Sequence, residues 1–246
     1  MQRLHQKIAL ITGGARGMGA SHAKLFIEHG AKVVITDILE KEGSLMAESL
    51  GENALFLKHD VTSLAQWQDV VAKTEAHFGP INVLINNAGI ALSLPIDDMR
   101  EEDFDKVYQI NQKSVFLGMK TVAPSMRKAK GGSIINISSI SGIVGQPAGV
   151  AYNGTKFAVR GMTKALALEL GSDNIRVNSV HPGVIDTPMT QTKEIQAAIQ
   201  PMLQSLALKR SAQPIEISQM CLYLASDDSS YCTGSEFVAD GGFIAQ

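Results

Sequence analysis

The stretch Ile8-Ala9-Leu10-Ile11-Thr12-Gly13-Gly14-Ala15-Arg16-Gly17-Met18-Gly19 runs an apolar segment straight into a glycine cluster. Beyond it, Met18, His22, Leu25, Phe26 and His29 recur at the spacing of one helix face. The reading is strand, tight turn, helix. Glycine suits such a turn because the backbone angles disfavour a Cβ. It also lets the main chain approach a pyrophosphate resting on the N–H groups of the helix N-terminus. The order is GxxxGxG, not the commoner GxGxxG. A glycine cluster alone can be purely structural; its place between strand and helix makes Gly13, Arg16, Gly17, Met18 and Gly19 candidate dinucleotide contacts.

A dinucleotide site of this kind needs an acidic residue at the end of the second strand, to accept hydrogen bonds from the adenosine ribose. Asp37 stands there, followed by the uncharged Ile38. Its carboxylate would repel a 2′-phosphate, so NAD is expected in preference to NADP. Arg16 pulls the other way, since a guanidinium beside the turn could attract that phosphate.

Outward from this unit, short β-branched runs alternate with longer segments of helical period, the pattern of βαβ units around a parallel sheet. Strands are expected at 7–12, 32–36, 54–58, 82–85, 133–137, 175–180 and 235–238. They are almost continuously apolar, as strands covered by helices on both faces should be. The fold class that follows is α/β, a doubly wound parallel sheet of about seven strands forming one dinucleotide-binding catalytic domain over 1–246. Leu64, Trp67 and Val71 make one helix face, and Ile217, Met220, Cys221 and Leu224 another, so Trp67 and Cys221 read as core. Pro214 suits a helix start. The stretch 184–211 is weakly patterned and reads as a loop or substrate lid.

Composition removes other classes of function. The 246 residues carry 22 Lys+Arg against 24 Asp+Glu, without a basic stripe, so neither nucleic acid nor an anionic membrane is expected as a partner. The apolar run 8–11 is too short for a signal-peptide core or a membrane span. Two cysteines without a CxxC and six scattered histidines suggest no disulfide framework and no metal site, and a cytoplasmic location fits.

Further along stand Asp60-Val61, Asn86-Asn87-Ala88-Gly89, Asn111 in an expected helix, and Ser139 thirteen residues before Tyr152-x-x-x-Lys156. Pro182-Gly183 and Thr187 follow the sixth expected strand. In this order, and with the glycine turn, they resemble the short-chain dehydrogenase/reductase family over essentially the whole chain. The flavour is that of bacterial NAD-dependent secondary-alcohol and hydroxysteroid dehydrogenases. The resemblance implies cofactor contacts at Asp60 and Val61 near adenine, at Asn87, Ala88 and Gly89 along the ribose, and at Pro182, Gly183, Ile185 and Thr187 toward the nicotinamide. It also implies that Asn111 holds a water in a proton relay, and that the chain forms a homotetramer through helices expected at 103–129 and 151–171 and the tail 237–246. Asn153-Gly154, between the tyrosine and the lysine, departs from the family's frequent Ser-Ala.

The chemistry accounts for the residue types. Hydride transfer from a carbinol carbon needs a base for the hydroxyl proton, and the reverse reduction needs the same group as an acid. Tyr152 can be both if positive charge lowers its ordinary pKa of about 10. Lys156, four residues on, shares its helix face and can supply that charge. Both can also touch the cofactor. Ser139 lies at the carboxyl end of a strand, where its hydroxyl can hold the substrate oxygen; Ser138 reads as a backbone-bonding residue.

The expected substrate wall is mainly apolar: Leu94, Ile140, Val144 and Gln146, then Met189, Met202 and Leu206 from the lid, with Ser139 and Tyr152 at its base. It suits a secondary alcohol or ketone with hydrocarbon bulk. The alternative activity is an NADPH-dependent 3-oxoacyl carrier-protein reductase, which Arg16 permits and Asp37 opposes. Sugar-nucleotide epimerases share Tyr-x-x-x-Lys but differ in glycine spacing, and a binding protein without activity would have no need of all four of Asn111, Ser139, Tyr152 and Lys156.

Overall fold

In the computed structural model, which describes residues 2–191 and 193–245, strand β1 (Ile8–Thr12) lies at the middle of a sheet. It is bordered by β2 (Lys32–Asp37) and β4 (Val83–Asn86), with β3 (Ala54–Lys58) beyond β2. On the other side follow β5 (Gly132–Ile137), β6 (Ile175–Pro182) and β7 (Glu236–Ala239). The order is β3-β2-β1-β4-β5-β6-β7, with every pair parallel. All seven expected strands are present, with no end moved by more than two residues.

Parallel pairing requires a crossover between neighbours, and the helices that make the crossovers cover both faces. On one face α1 (Gly17–Glu28), α2 (Glu40–Leu50) and α8 (Pro214–Ala225) bury Phe26, Ile217 and Cys221 against Ile11, Ile35 and Ile135. On the other, α3 (Leu64–His77), α5 (Ser114–Lys128) and α6 (Val150–Leu170) bury Trp67, Val122 and Val159 against Leu10, Leu84 and Ile134. Alternate strand residues serve the two cores, which is why the strands lack polar alternation. Trp67 is wholly buried and its indole N–H donates to Val61 O at 2.8 Å. Truncating it to Ala would cost about 3–5 kcal/mol. Pro214 opens α8, where Glu216 accepts from the Gln213 amide at 2.8 Å.

Two helical expectations need correction. The stretch 103–129 is not one regular helix: α4 (Glu101–Tyr108) and α5 are joined by a π-helical turn, Gln109–Lys113, that contains Asn111. The 184–211 segment is not loop throughout, because α7 (Lys193–Ser205) occupies its middle. Ile195, Ile199, Met202, Leu203 and Leu206 keep helical spacing there, but Pro201 inside the helix obscures it.

The strand order reverses at β1, between β2 and β4. That reversal opens a crevice at the carboxyl ends of the strands, where ligands of open α/β sheets bind.

Candidate active site

The crevice is a cavity of about 700 Å³. Its floor is the glycine turn. Gly13 and Gly17 have φ of +65° and +59°, which L side chains rarely adopt. A Cβ on Gly19 would sit 2.2 Å from the Gly13 carbonyl, so only hydrogen lets helix and turn close together.

The turn is stapled to the segment after β4. The Thr12 hydroxyl accepts from the amides of Asn87 and Ala88, both at 3.0 Å, and the Asn87 side-chain amide donates to the carbonyls of Thr12 and Gly13 at 2.9 and 3.1 Å. Asp37 is equally committed, accepting from Ala15 N at 3.1 Å and from Leu39 N at 3.1 Å.

Of the expected cofactor residues, Gly13, Arg16, Gly17 and Met18 line the cavity, as do Asp37, Ile38, Asp60 and Val61, and Asn87, Ala88, Gly89 and Thr187. Gly19, Tyr152, Lys156, Pro182, Gly183 and Ile185 are not among its lining. Gly183 packs against Asp240, where a Cβ would meet Asp240 Cα at 2.8 Å, and Ile185 is buried and bridges to Ala212. Asp60 also anchors its own turn, its carboxylate accepting from the amide and hydroxyl of Thr62 at 2.9 and 2.7 Å.

Residues that sequence reasoning missed also line the cavity. Lys106, Gln109 and Ile110 come from α4 and the turn after it, at positions i, i+3 and i+4, a spacing that could have marked them. His59 had no such signal. It is buried, with Nδ1 3.1 Å from the Thr36 hydroxyl and no protein partner for Nε2, and burial lowers its pKa to about 4.

Next to this cavity the four expected catalytic side chains converge. Tyr152 and Lys156 are one turn apart on α6, with the ammonium 5.5 Å from the phenol ring centroid and donating to Ile137 O at 2.9 Å. Ser139 leaves the end of β5, its hydroxyl accepting from Ser141 N at 3.1 Å and facing the Tyr152 phenol. The Asn111 amide is engaged at both ends with Ile90, accepting from its N–H at 2.9 Å and donating to its carbonyl at 2.8 Å. Gly89 lies between: a Cβ there would be 3.3 Å from Asn111 Oδ1 and 3.7 Å from Lys156 Nζ. Ser138 donates to Lys156 O at 2.9 Å, the backbone role read from its position.

Electrostatics here differ from the simplest expectation. Burial raises the Tyr152 pKa, opposed by the Ser139 hydrogen bond, and burial lowers Lys156 to about 8. In the free protein the phenol is therefore held neutral. Any lowering of its pKa has to outweigh that burial.

Among the expected substrate residues, Met189 lines the cavity, half exposed. Gln146 accepts from the Ser141 hydroxyl at 3.1 Å, and Leu94 N donates to Ala148 O at 2.9 Å, tying the loops on either side of Ser139. Val144 is held by its carbonyl, which accepts from the Asn153 amide at 2.8 Å. Ile140 and Leu206 are buried, Leu206 against Gly241, and Met202 is half-buried on α7. Among the described residues, no group of three or more His, Cys, Asp or Glu is gathered as for a metal ion, and no helix is long and apolar enough to cross a membrane.

Comparison with known proteins adds to this geometry. The family described as enoyl-(acyl carrier protein) reductase matches residues 13–244. The chain is 48% identical over 243 residues to 3-alpha-(or 20-beta)-hydroxysteroid dehydrogenase of Mycobacterium tuberculosis, covering 99% of this chain and 91% of the relative. It is 45% identical over 249 residues to cyclopentanol dehydrogenase of Comamonas testosteroni, covering 100% of both. It is 41% identical over 249 residues to the NADP-dependent (R)-specific alcohol dehydrogenase of Lentilactobacillus kefiri, covering 99% of both.

Proposed function

The chain belongs to the short-chain dehydrogenase/reductase family, and on that footing we propose that it is an NAD(H)-dependent oxidoreductase interconverting a secondary alcohol and a ketone. The observation that carries the reading is the convergence of Ser139, Tyr152 and Lys156 beside a glycine-floored cavity whose second strand ends in Asp37. The turn fits a dinucleotide: its positive-φ glycines leave the α1 N-terminus open to a pyrophosphate, and Asp37 stands at the ribose position. When bound, the nicotinamide accepts or returns the hydride.

The proton is handled by the chain. In oxidation the Tyr152 phenolate takes the carbinol proton while the Ser139 hydroxyl holds the oxygen. In reduction the phenol gives the proton back. Lys156, charged below about 8, favours the phenolate. Asn111, bonded at both ends to Ile90, holds the segment after β4 against this group.

An apolar alcohol is the proposed substrate class. The relatives' names support it: they are dehydrogenases of hydroxysteroids, cyclopentanol and other alcohols, with no acyl-carrier reductase among these three. We also propose a cytoplasmic homotetramer with 184–211 as its substrate lid. Exposed Phe104, Tyr108, Phe116, Phe157 and Leu168 on α4, α5 and α6 support assembly through those helices.

The test is absorbance at the NADH band with cyclopentanol, a 3-hydroxysteroid and a 3-oxoacyl thioester, each with NAD(H) and NADP(H). Turnover of an alcohol with NAD, absent in Tyr152→Phe, is expected. Turnover only of the thioester with NADPH would overturn the reading.

A further inference from the structure

We propose that His181 is a positioning residue for Ser139, clamping the turn after β5 so that the Ser139 hydroxyl stays aimed at Tyr152. The inference rests on the reading of Ser139 as the group that holds the substrate oxygen.

The parallel ladder between β5 and β6 runs out just where the site begins. Ser138 N donates to Val180 O at 2.8 Å, and the next rung would need an N–H from residue 182. That residue is Pro182, which has none. That rung would have ended on Ser138 O; the Ser139 carbonyl, one residue on, lies outside main-chain pairing with β6, and a side chain binds it. His181, wholly buried, places Nδ1 2.9 Å from Ser139 O and Nε2 2.9 Å from the Ser179 hydroxyl. A carbonyl can only accept, so Nδ1 carries the proton and Nε2 accepts from Ser179. The imidazole, kept neutral by its burial, is thus fixed as one tautomer between the Ser139 carbonyl and the Ser179 hydroxyl.

The second lone pair of the same carbonyl accepts from Gly142 N at 2.9 Å, closing the 139–142 turn. Arg160 holds the far end, donating to Gly142 O at 2.7 Å while paired with Glu236 at 2.9 Å. Within this turn Ser141 N binds the Ser139 hydroxyl oxygen. A displaced Ser139 carbonyl would turn that hydroxyl away from Tyr152, and misplacements of about 1 Å in such groups cost on the order of 100-fold in rate.

The experiment is steady-state kinetics on the alcohol turned over fastest. His181→Leu is expected to lower kcat roughly 10- to 100-fold while leaving the KM for NAD within about twofold. His181→Asn, which can offer an N–H near the Nδ1 position, should recover most of kcat; His181→Gln, whose amide lies further out, should not. In a Ser139→Ala background, His181→Leu should have no further effect on kcat, because the clamp acts through the missing hydroxyl.

Independent, multiplying losses in that double variant would overturn the proposal, as would His181→Leu with wild-type kcat. If His181→Leu does not fold, the Asn and Gln variants carry the test, and equal kcat for the two would overturn it. A silent Ser139→Ala would instead sink the reading of Ser139 itself. A deep Ser139→Ala loss with silent His181 variants would sink only the clamp.

Discussion

The carboxylate of Asp37 and the main-chain amide of Ala15 are joined by a 3.1 Å hydrogen bond that ties the end of β2 to the glycine turn. Its other oxygen accepts from Leu39 N. A residue read as a ribose ligand is thus also part of the turn's framework, so reversing its charge would damage the site it is meant to retune. Asp37→Asn is the better probe because it keeps one acceptor and removes the charge. The ratio of kcat/KM with NADP to that with NAD is expected to rise by about tenfold or more, the effect of about 1.4 kcal/mol of relieved repulsion. An unmoved ratio would assign the preference to another group, Arg16 first.

Burial raises the Tyr152 phenol, so the free enzyme carries it protonated near neutrality. Alcohol oxidation, which needs the phenolate, should climb as pH rises, whereas ketone reduction, which needs the phenol, should be favoured at lower pH. Tyr152→Phe is expected to lower kcat by about 100- to 10,000-fold in both directions with NADH binding within a few-fold, checked by fluorescence titration. Parallel pH profiles for oxidation and reduction would contradict the assignment.

His22 is wholly buried between α1 and α8, 2.8 Å from the Ser218 hydroxyl, and burial lowers its pKa to about 3; His59 is lowered to about 4. Against an unfolded value of 6.5, the unfolded chain binds these protons and the folded one does not. Stability present above pH 6.5 is therefore lost as pH falls toward those values, at up to about 1.4 kcal/mol per unit for each group. Denaturation midpoints measured from pH 7.5 to 4.5 should show that slope, and His22→Gln should flatten it. Equal slopes in variant and parent would refute the account.

Thr12→Val keeps the shape of the side chain but strips the acceptor from the amides of Asn87 and Ala88. The expected loss is about 1–3 kcal/mol in unfolding free energy, with a raised KM for the cofactor because the staple holds both walls of its cavity. Stability lost without any change in KM would confine the staple to a folding role.

Gly154 lies inside α6 with open space where a Cβ would point. Gly154→Ala should raise the unfolding free energy by about 1 kcal/mol, read by denaturant titration. Destabilisation instead would reveal a surface that packs against another copy.

What could be read from the sequence is what depends on near neighbours in the chain. The Ile8–Thr12 run, the turn glycines, the acidic end of β2 and the four-residue step from Tyr152 to Lys156 are local patterns. Backbone sterics and helix period make the strand, the turn and the shared helix face readable from them. Helix α7 was hidden because Pro201 breaks a pattern that tertiary packing nonetheless sustains, and the turn at Asn111 because local pattern does not distinguish a widened helical turn from a regular one. The sequence by itself determined the sheet and its glycine-floored turn. Only the tertiary structure decided that Thr12 holds Asn87, that the unpartnered Nε2 of His59 belongs to a residue of the cavity wall, and that His181 takes the Ser139 carbonyl. Each of these joins strands far apart in sequence, and which atoms meet follows from strand order and register, settled when the helices close over both faces.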